Sequence, residues 1–279
     1  MKNIKINKFL SLLIIIMISS SFTRKQLSWV AIGDSITYLN DHKNETGNRV
    51  TKGYMTLVTE KLPHIQYINH GLNGWTSGGV ADAIEKLGLQ KADVYSIFLG
   101  TNDWWQGRPL GTLADYQQNT GNNTVYGSFR IIINKLRSLN KDAPIILITP
   151  MQRVDFVYIS DYSNNAYGSY REKNGQMLEQ FANVVKTIGE YEHFKVVDLY
   201  HKSSLKMKHQ VKFKRLKDPK TGIYKNFKYP DFIDIPFNAK TDEYPYPIEA
   251  IDMTYDGLHP SDKGYKAIAD MLIKIMKKL

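Results

Sequence analysis

Short, wholly apolar runs alternate with segments of helical period along most of this chain. Residues 27–33, 94–99 and 145–148 are apolar at nearly every position, the pattern of strands covered on both faces. Residues 65–68 and 195–199 make two shorter runs of the same kind. Between the runs, 53–62 carries Tyr54, Leu57, Val58 and Leu62 at helical spacing and meets a stop at Pro63. Residues 79–87 read as a helix ended by Gly88. Residues 124–139 place Phe129, Ile132, Ile133, Leu136 and Leu139 on one face. The spacing of Tyr170, Met177, Leu178, Phe181, Val184, Val185 and Ile188 predicts the longest helix over 169–188. Ser261 is placed to cap a last helix bearing Tyr265, Ile268, Leu272, Ile275 and Met276. Strands alternating with helices predict an α/β fold, three layers α/β/α around a five-stranded parallel sheet. Pattern alone leaves the strand order open.

One segment breaks the alternation. Residues 202–248 are rich in Lys, Tyr, Phe and Pro and end near Tyr244-Pro245-Tyr246-Pro247. Prolines at that density argue against helix, and the segment is too long for a bare connection. It reads as an insertion in a single domain spanning 23–279, as a lid over the site or as the carrier of a small β-hairpin. Its charge is uneven. Residues 201–230 hold ten Lys or Arg and one acid, Asp218, and 231–256 hold seven acids and one lysine. A basic run of this kind can bind nucleic acid or acidic glycans. With an acidic stretch following it, it reads as a solvated loop balanced from within, and no nucleic-acid partner is expected.

The 279 residues are 42% hydrophobic and 23% charged, enough for a core. There is no cysteine, which excludes disulfides, thiolate metal sites and cysteine nucleophiles. Residues 1–22 have the order of a secretory signal peptide. Lys2, Lys5 and Lys8 precede a short apolar run over 9–18, followed by Ser19-Ser20-Ser21. The run is shorter than the ~20 residues of a membrane span. A secreted or periplasmic protein with no membrane span after cleavage is therefore expected. The net charge of +10 falls to +7 without the three leader lysines.

The chemistry gathers where strands end. Gly33-Asp34-Ser35 follows the first strand, at the edge where open α/β sheets bind their ligands. A serine hydroxyl needs a base and oxyanion donors before it can react. The loops after the second and third strands offer Gly71, Asn73 and Gly74, then Gly100-Thr101-Asn102-Asp103. Asp256-Gly257-Leu258-His259 leads into the last helix and offers a base with its own carboxylate. A second Asp-x-x-His, Asp198 with His201, ends the fifth strand and competes for that role. Isolated histidines such as His64 and His193 read as surface residues. Trp75, Trp104 and Trp105 flank the donors; aromatic faces beside polar groups suit sugar rings, while core packing is the alternative and is expected for one of the three. The loop over 104–123, rich in Gly, Asn, Gln and Thr, favours a polar substrate over a long acyl chain. No His-Glu-x-x-His or EF-hand loop appears, so no metal and no cofactor are expected.

These four fragments, in this order, resemble the SGNH (GDSL) hydrolase family from about residue 27 to the C-terminus, apart from the insertion. The resemblance implies a flavodoxin-like strand order, 2-1-3-4-5. It also implies roles: Ser35 as nucleophile, Gly74 and Asn102 as oxyanion donors, His259 as base and Asp256 as its partner. Gly71 remains open beside Gly74. Asp34 and Asp103 are expected to order the loops. The activity implied is serine esterase chemistry through an acyl-enzyme, on a small acyl ester, read here as an O-acetyl group on a glycan. A lipase or lysophospholipase, and a catalytically idle glycan-binding protein, are the competing readings.

Overall fold

The computed structural model describes residues 25–279. The expected signal peptide over 1–22 lies outside the described residues. The chain runs through β1 (Leu27–Gly33), α1 (Ser35–Tyr38), α2 (Tyr54–Lys61), β2 (Ile65–Gly71), α3 (Ser77–Asp82), β3 (Val94–Phe98), α4 (Thr101–Trp105), α5 (Leu113–Gln118) and α6 (Val125–Leu139). It continues through β4 (Ile145–Ile148), β5 (Phe156–Tyr158), β6 (Asp161–Ala166), α7 (Leu178–Tyr191), β7 (Lys195–Val197), α8 (Leu199–Lys202), α9 (Met207–Gln210), β8 (Lys214–Lys217), β9 (Tyr224–Phe227) and α10 (Asp262–Met276). Among the described residues no helix is long and apolar enough to cross a membrane.

Five strands form one parallel sheet in the order β2-β1-β3-β4-β7. In sheet terms this is 2-1-3-4-5, as expected. Successive side chains of β1 serve opposite layers. Val30 and Ile32 pack with α3, α6 and α7, and Trp29 and Ala31 pack with α2 and α10. That is why β1 is apolar without alternation. The one polar side chain inside β3, Ser96, accepts a hydrogen bond from Trp29 Nε1 at 2.9 Å, so neither group is buried unpaired.

Three elements differ from the expected ones. The helix expected over 169–188 begins only at Leu178. Asn174 and Gly175 both have positive φ, and Lys173 and Gln176 pair across them as a tight hairpin turn. Apolar residues at helical spacing before this turn therefore belong to a loop. The helix expected over 79–87 occupies Ser77–Asp82, because the buried Asp103 carboxylate accepts from Ser77 N and Oγ and fixes an earlier start. The fifth strand stops at Val197, where Asp198 caps α8 by accepting from His201 N. His64, expected at the surface, is buried, and its carbonyl receives Leu27 N–H at the foot of β1.

The segment 202–248 carries an antiparallel hairpin, β8–β9. Its apolar residues Val211, Leu216, Phe232 and Tyr246 close on Val154 and Val157 as a separate small core. Its basic residues meet acids: Arg215 pairs with Glu243, Lys217 with Asp242 and Lys214 with Asp155. A second hairpin, β5–β6, follows β4 and was not legible as strand, having only Phe156-Val157-Tyr158 on one side and polar residues on the other.

The two helical layers imply unequal roles for their apolar residues. Leu272 of α10 is fully buried against the sheet. Leu272→Ala is expected to destabilise the protein by about 2–5 kcal/mol, read as a lower urea midpoint with an unchanged slope. An unchanged midpoint would mean that α10 does not seal this face.

Candidate active site

Ser35 is the first residue of α1, directly after β1. Asp34 caps this helix by accepting from Ile36 N at 3.0 Å, which holds the strand-to-helix corner. The corner leaves Ser35 N–H at a helix start, where backbone donors have no partner within the helix. Ser35 Oγ lies 2.9 Å from His259 Nε2. His259 Nδ1 lies 2.7 Å from Asp256 Oδ2, and Asp256 Oδ1 accepts from the backbone N–H of Leu258 and His259. Asp256 is fully buried, and Ser35 and His259 are each only 7% exposed. The network assigns the His259 proton to Nδ1 and leaves Nε2 to accept from the serine hydroxyl.

The His259 ring is held from both sides. Tyr255 stacks on it at 5.9 Å between centroids, and Phe156 of β5 meets it edge-on at 5.3 Å. The turn carrying it is tied to the strand before it by Val154 N to Gly257 O and Val157 N to Asp256 O.

The competing pair has the same local form and a different outlook. His201 Nδ1 lies 2.9 Å from Asp198 Oδ1, but its Nε2 faces Glu179 Oε1 at 3.2 Å. Asp-x-x-His at a helix start thus builds a carboxylate–imidazole pair twice in this chain. Only one of them meets Ser35.

Gly74 and Gly71 are separated by their N–H groups. Gly71 ends β2 and donates to Asn69 Oδ1 at 2.8 Å. Gly74 has φ +77°, a region that favours glycine, borders the cleft, and its N–H makes no hydrogen bond among the described residues. Asn102 sits in the first turn of α4, and one hydrogen of its Nδ2 goes to Trp75 O at 3.0 Å. An amide has two such hydrogens, so the second stays available beside Ser35. Asp103 next to it is buried, and desolvation raises its carboxyl above the ordinary range, opposed by the donors of Ser77 and by Arg108.

The tryptophans divide. Trp105 borders the cleft. Trp104, expected to meet substrate, is fully enclosed, and its Nε1 donates to Gln176 O at 3.0 Å, so it serves the core. Trp75 is exposed but does not border the cleft; its ring lies against Gly79 and its carbonyl accepts from Asn102. The cleft over Ser35 has a volume of about 180 Å³ and is bordered also by Asn73, Gln106, Arg153, Phe156, Asn164 and Leu258. None of the residues of 202–248 borders it, but Ile233, Ile235, Pro236 and Phe237 line the neighbouring cavity, which shares Phe156 and Ala166 with it. Phe156 and Asn164 come from the unforeseen β5–β6 hairpin. Arg153 had a readable signal, since it lies just beyond the carboxyl end of β4.

The model of the GDSL-like lipase/acylhydrolase family matches residues 31–267 of this chain. A crystal structure of a possible lipase from Chitinophaga pinensis is 65% identical, with a TM-score of 0.89, over 90% of this chain and 98% of that one. At 20% identity, a lipase/acylhydrolase from Enterococcus faecalis shares the fold with a TM-score of 0.50, over 90% of this chain and 95% of its own. An acetyl xylan esterase structure does so at 19% identity and a TM-score of 0.51, over 89% and 98%. No curated protein matches the chain.

Asp34 offers a test that concerns stability. It is buried, and desolvation pushes its carboxyl from 3.8 up to about 6. A carboxyl raised on folding binds its proton more tightly in the folded state. Stability therefore falls as pH rises from about 4 to about 6 and stays lower above, by at most about 3 kcal/mol. Asparagine keeps the oxygen that caps α1. Asp34→Asn is expected to gain stability over the parent at pH 7.5 and not at pH 4, measured by urea unfolding at both. Equal differences at the two pH values would contradict it.

Proposed function

Because this chain belongs to the GDSL-like lipase/acylhydrolase family, we propose that it is an exported serine esterase that removes a small acyl group, acetyl in the simplest case, from a carbohydrate. The protein is an ester-hydrolysing enzyme. The continuous hydrogen-bonded series Asp256–His259–Ser35, opening on a small cleft, carries the mechanistic reading.

Ser35 Oγ attacks the ester carbonyl while His259 Nε2 takes its proton. Asp256 holds the imidazole in the required tautomer and stabilises the imidazolium. The carbonyl oxygen becomes an oxyanion and is held by Ser35 N–H, Gly74 N–H and the second Nδ2 hydrogen of Asn102. His259 then returns the proton to the departing alcohol, leaving the acyl group on Ser35. Water, deprotonated by the same imidazole, attacks the acyl-enzyme and releases the acid.

A volume of about 180 Å³ suits a short acyl group. Asn73, Asn102, Gln106 and Asn164 around the opening offer donors and acceptors to hydroxyls, and Trp105 offers one face to a sugar ring. A long-chain lipase needs an apolar channel, and this border mixes Trp105, Phe156 and Leu258 with four side-chain amides. The leader-like pattern of residues 1–22 supports export.

Ser35→Ala is expected to fold normally and lose on the order of 10⁴-fold or more in kcat on p-nitrophenyl acetate. His259→Ala should match it, and His201→Ala should change turnover only modestly. Esterase activity retained in a folded Ser35→Ala protein would refute the mechanism. Asn102→Ala should lower kcat by about 10²–10³-fold with little change in KM, since the donor acts on charge that develops in the transition state. A change confined to KM would reassign Asn102 to substrate binding.

A further inference from the structure

Arg153 is a charged side chain that the hydrolytic steps do not use. It is 2% exposed and borders the cleft that holds Ser35. Its Nη2 donates to the carbonyls of Ala166 and Tyr167, at 3.3 and 3.1 Å. Its Nε is enclosed with no hydrogen-bond partner. Nη1 donates to no atom of the chain among the described residues. No carboxylate comes within ion-pairing distance of the guanidinium there either. Buried arginines are normally paired with an acid, because a desolvated cation is costly alone.

The acids around it are already engaged. Asp155 is ion-paired with Lys214 at 2.7 Å and accepts from Tyr170, and Asp256 is held by His259. No Asp or Glu borders the cleft. The guanidinium lies over the rings of Trp104 and Trp105, 5.5 and 5.8 Å from their centroids. Lys173 Nζ lies 4.5 Å from the centroid of Trp105 and makes no ion pair among the described residues. Trp105 is thus flanked by two cations that lack carboxylate partners, beside the cleft. Desolvation lowers Arg153 from 12.5 only to about 10, so it stays charged at neutral pH.

We infer that Arg153 receives an anionic group of the substrate, so that the ester is cleaved from an acidic sugar, one bearing a carboxylate or a phosphate close to the acylated hydroxyl. The inference rests on the esterase reading and narrows its substrate class. Nη1 keeps its hydrogens for the anion, and charge-assisted hydrogen bonds of this kind are the strong ones. Nη2 meanwhile ties the guanidinium to the end of β6, which fixes its direction without using the remaining donors. Lys173 adds a second positive charge at the rim, where it attracts the same anion.

The test compares three methyl glycosides acetylated at the same hydroxyl: a glucuronoside, a glucoside and a glucoside 6-phosphate, at one ionic strength. Either anionic ester should exceed the neutral one in kcat/KM by about 10²-fold, mainly through KM, and which of the two does so identifies the anion. Arg153→Gln should bring that ratio toward one, and Arg153→Lys should restore part of it. A buried position can fail to fold when changed, so calorimetry on folded Ser35→Ala gives a second reading. There the unacetylated glucuronoside or glucoside phosphate should bind at least about tenfold more tightly than the neutral glucoside. Equal kcat/KM for all three esters, or equal or absent binding of all three glycosides to Ser35→Ala, overturns the inference. Failure of the parent enzyme to hydrolyse p-nitrophenyl acetate would defeat the esterase reading instead, and the binding preference of Ser35→Ala would still decide the anion site.

Discussion

The contact between Ser35 Oγ and His259 Nε2 joins residues 224 positions apart in the chain, and most of the architecture is arranged so that it closes. One partner stands at the end of the strand second from the sheet edge, the other at the turn before the last helix. A hydrogen bond tolerates only a few tenths of an ångström, so the two ends must be fixed by larger contacts. Tyr265 of α10 reaches across and donates to Ile36 O in α1 at 3.0 Å. Tyr54 of α2 stacks on Tyr265 and shares a hydrogen bond with Thr37. Asp262 at the start of α10 accepts from Thr51 N and Oγ1. Each bond is modest alone. Together they lock α1, α2 and α10 into one block, and the serine and the imidazole ride on it.

How much of this was visible in the amino-acid order follows from the range of the forces involved. Strands such as Leu27–Gly33 are legible because burial on both faces leaves an unbroken apolar run. Asp256 and His259 are legible because their pairing is local, one turn of chain. For the same reason Asp198 and His201 look alike, and only the distant serine separates the two pairs. The helix expected from residue 169 failed because periodicity outweighed a stronger signal, the Asn174-Gly175 turn. The β5–β6 hairpin carries few apolar residues, and it stands because Phe156 and Ala166 pack on Leu258. Such a contact has no signature in either segment alone. One of the three tryptophans is expected in the core, but which one is not legible from their shared neighbourhood, and the third dimension turned Trp104 inward.

The site also concentrates charge that a stability optimum would avoid. Asp34, Asp103 and Arg153 are each nearly or wholly enclosed. Each is held by backbone groups more than by an opposite charge: Asp34 by Ile36 N, Asp103 by Ser77 N, Arg153 by two carbonyls. Backbone partners cannot rotate away, so these charges keep fixed directions in a poorly solvated cleft. The cost of that burial falls on the fold, as desolvation raises both carboxyls and lowers the guanidinium.

The segment 202–248 packs against the back of the histidine turn. Tyr246 donates to Asp155 O, the carbonyl against which Gly257 is packed. Arg49 Nη1 bridges Tyr246 O and Tyr255 O, at 2.6 and 3.3 Å. Lys214 closes on Asp155 from the same side. For anyone seeking a smaller catalyst this segment is the obvious piece to excise, being long, charged and outside the border of the cleft. Its removal would take away the wall against which the His259 turn is packed, so that minimisation and the geometry of that turn pull against each other at this point of the chain.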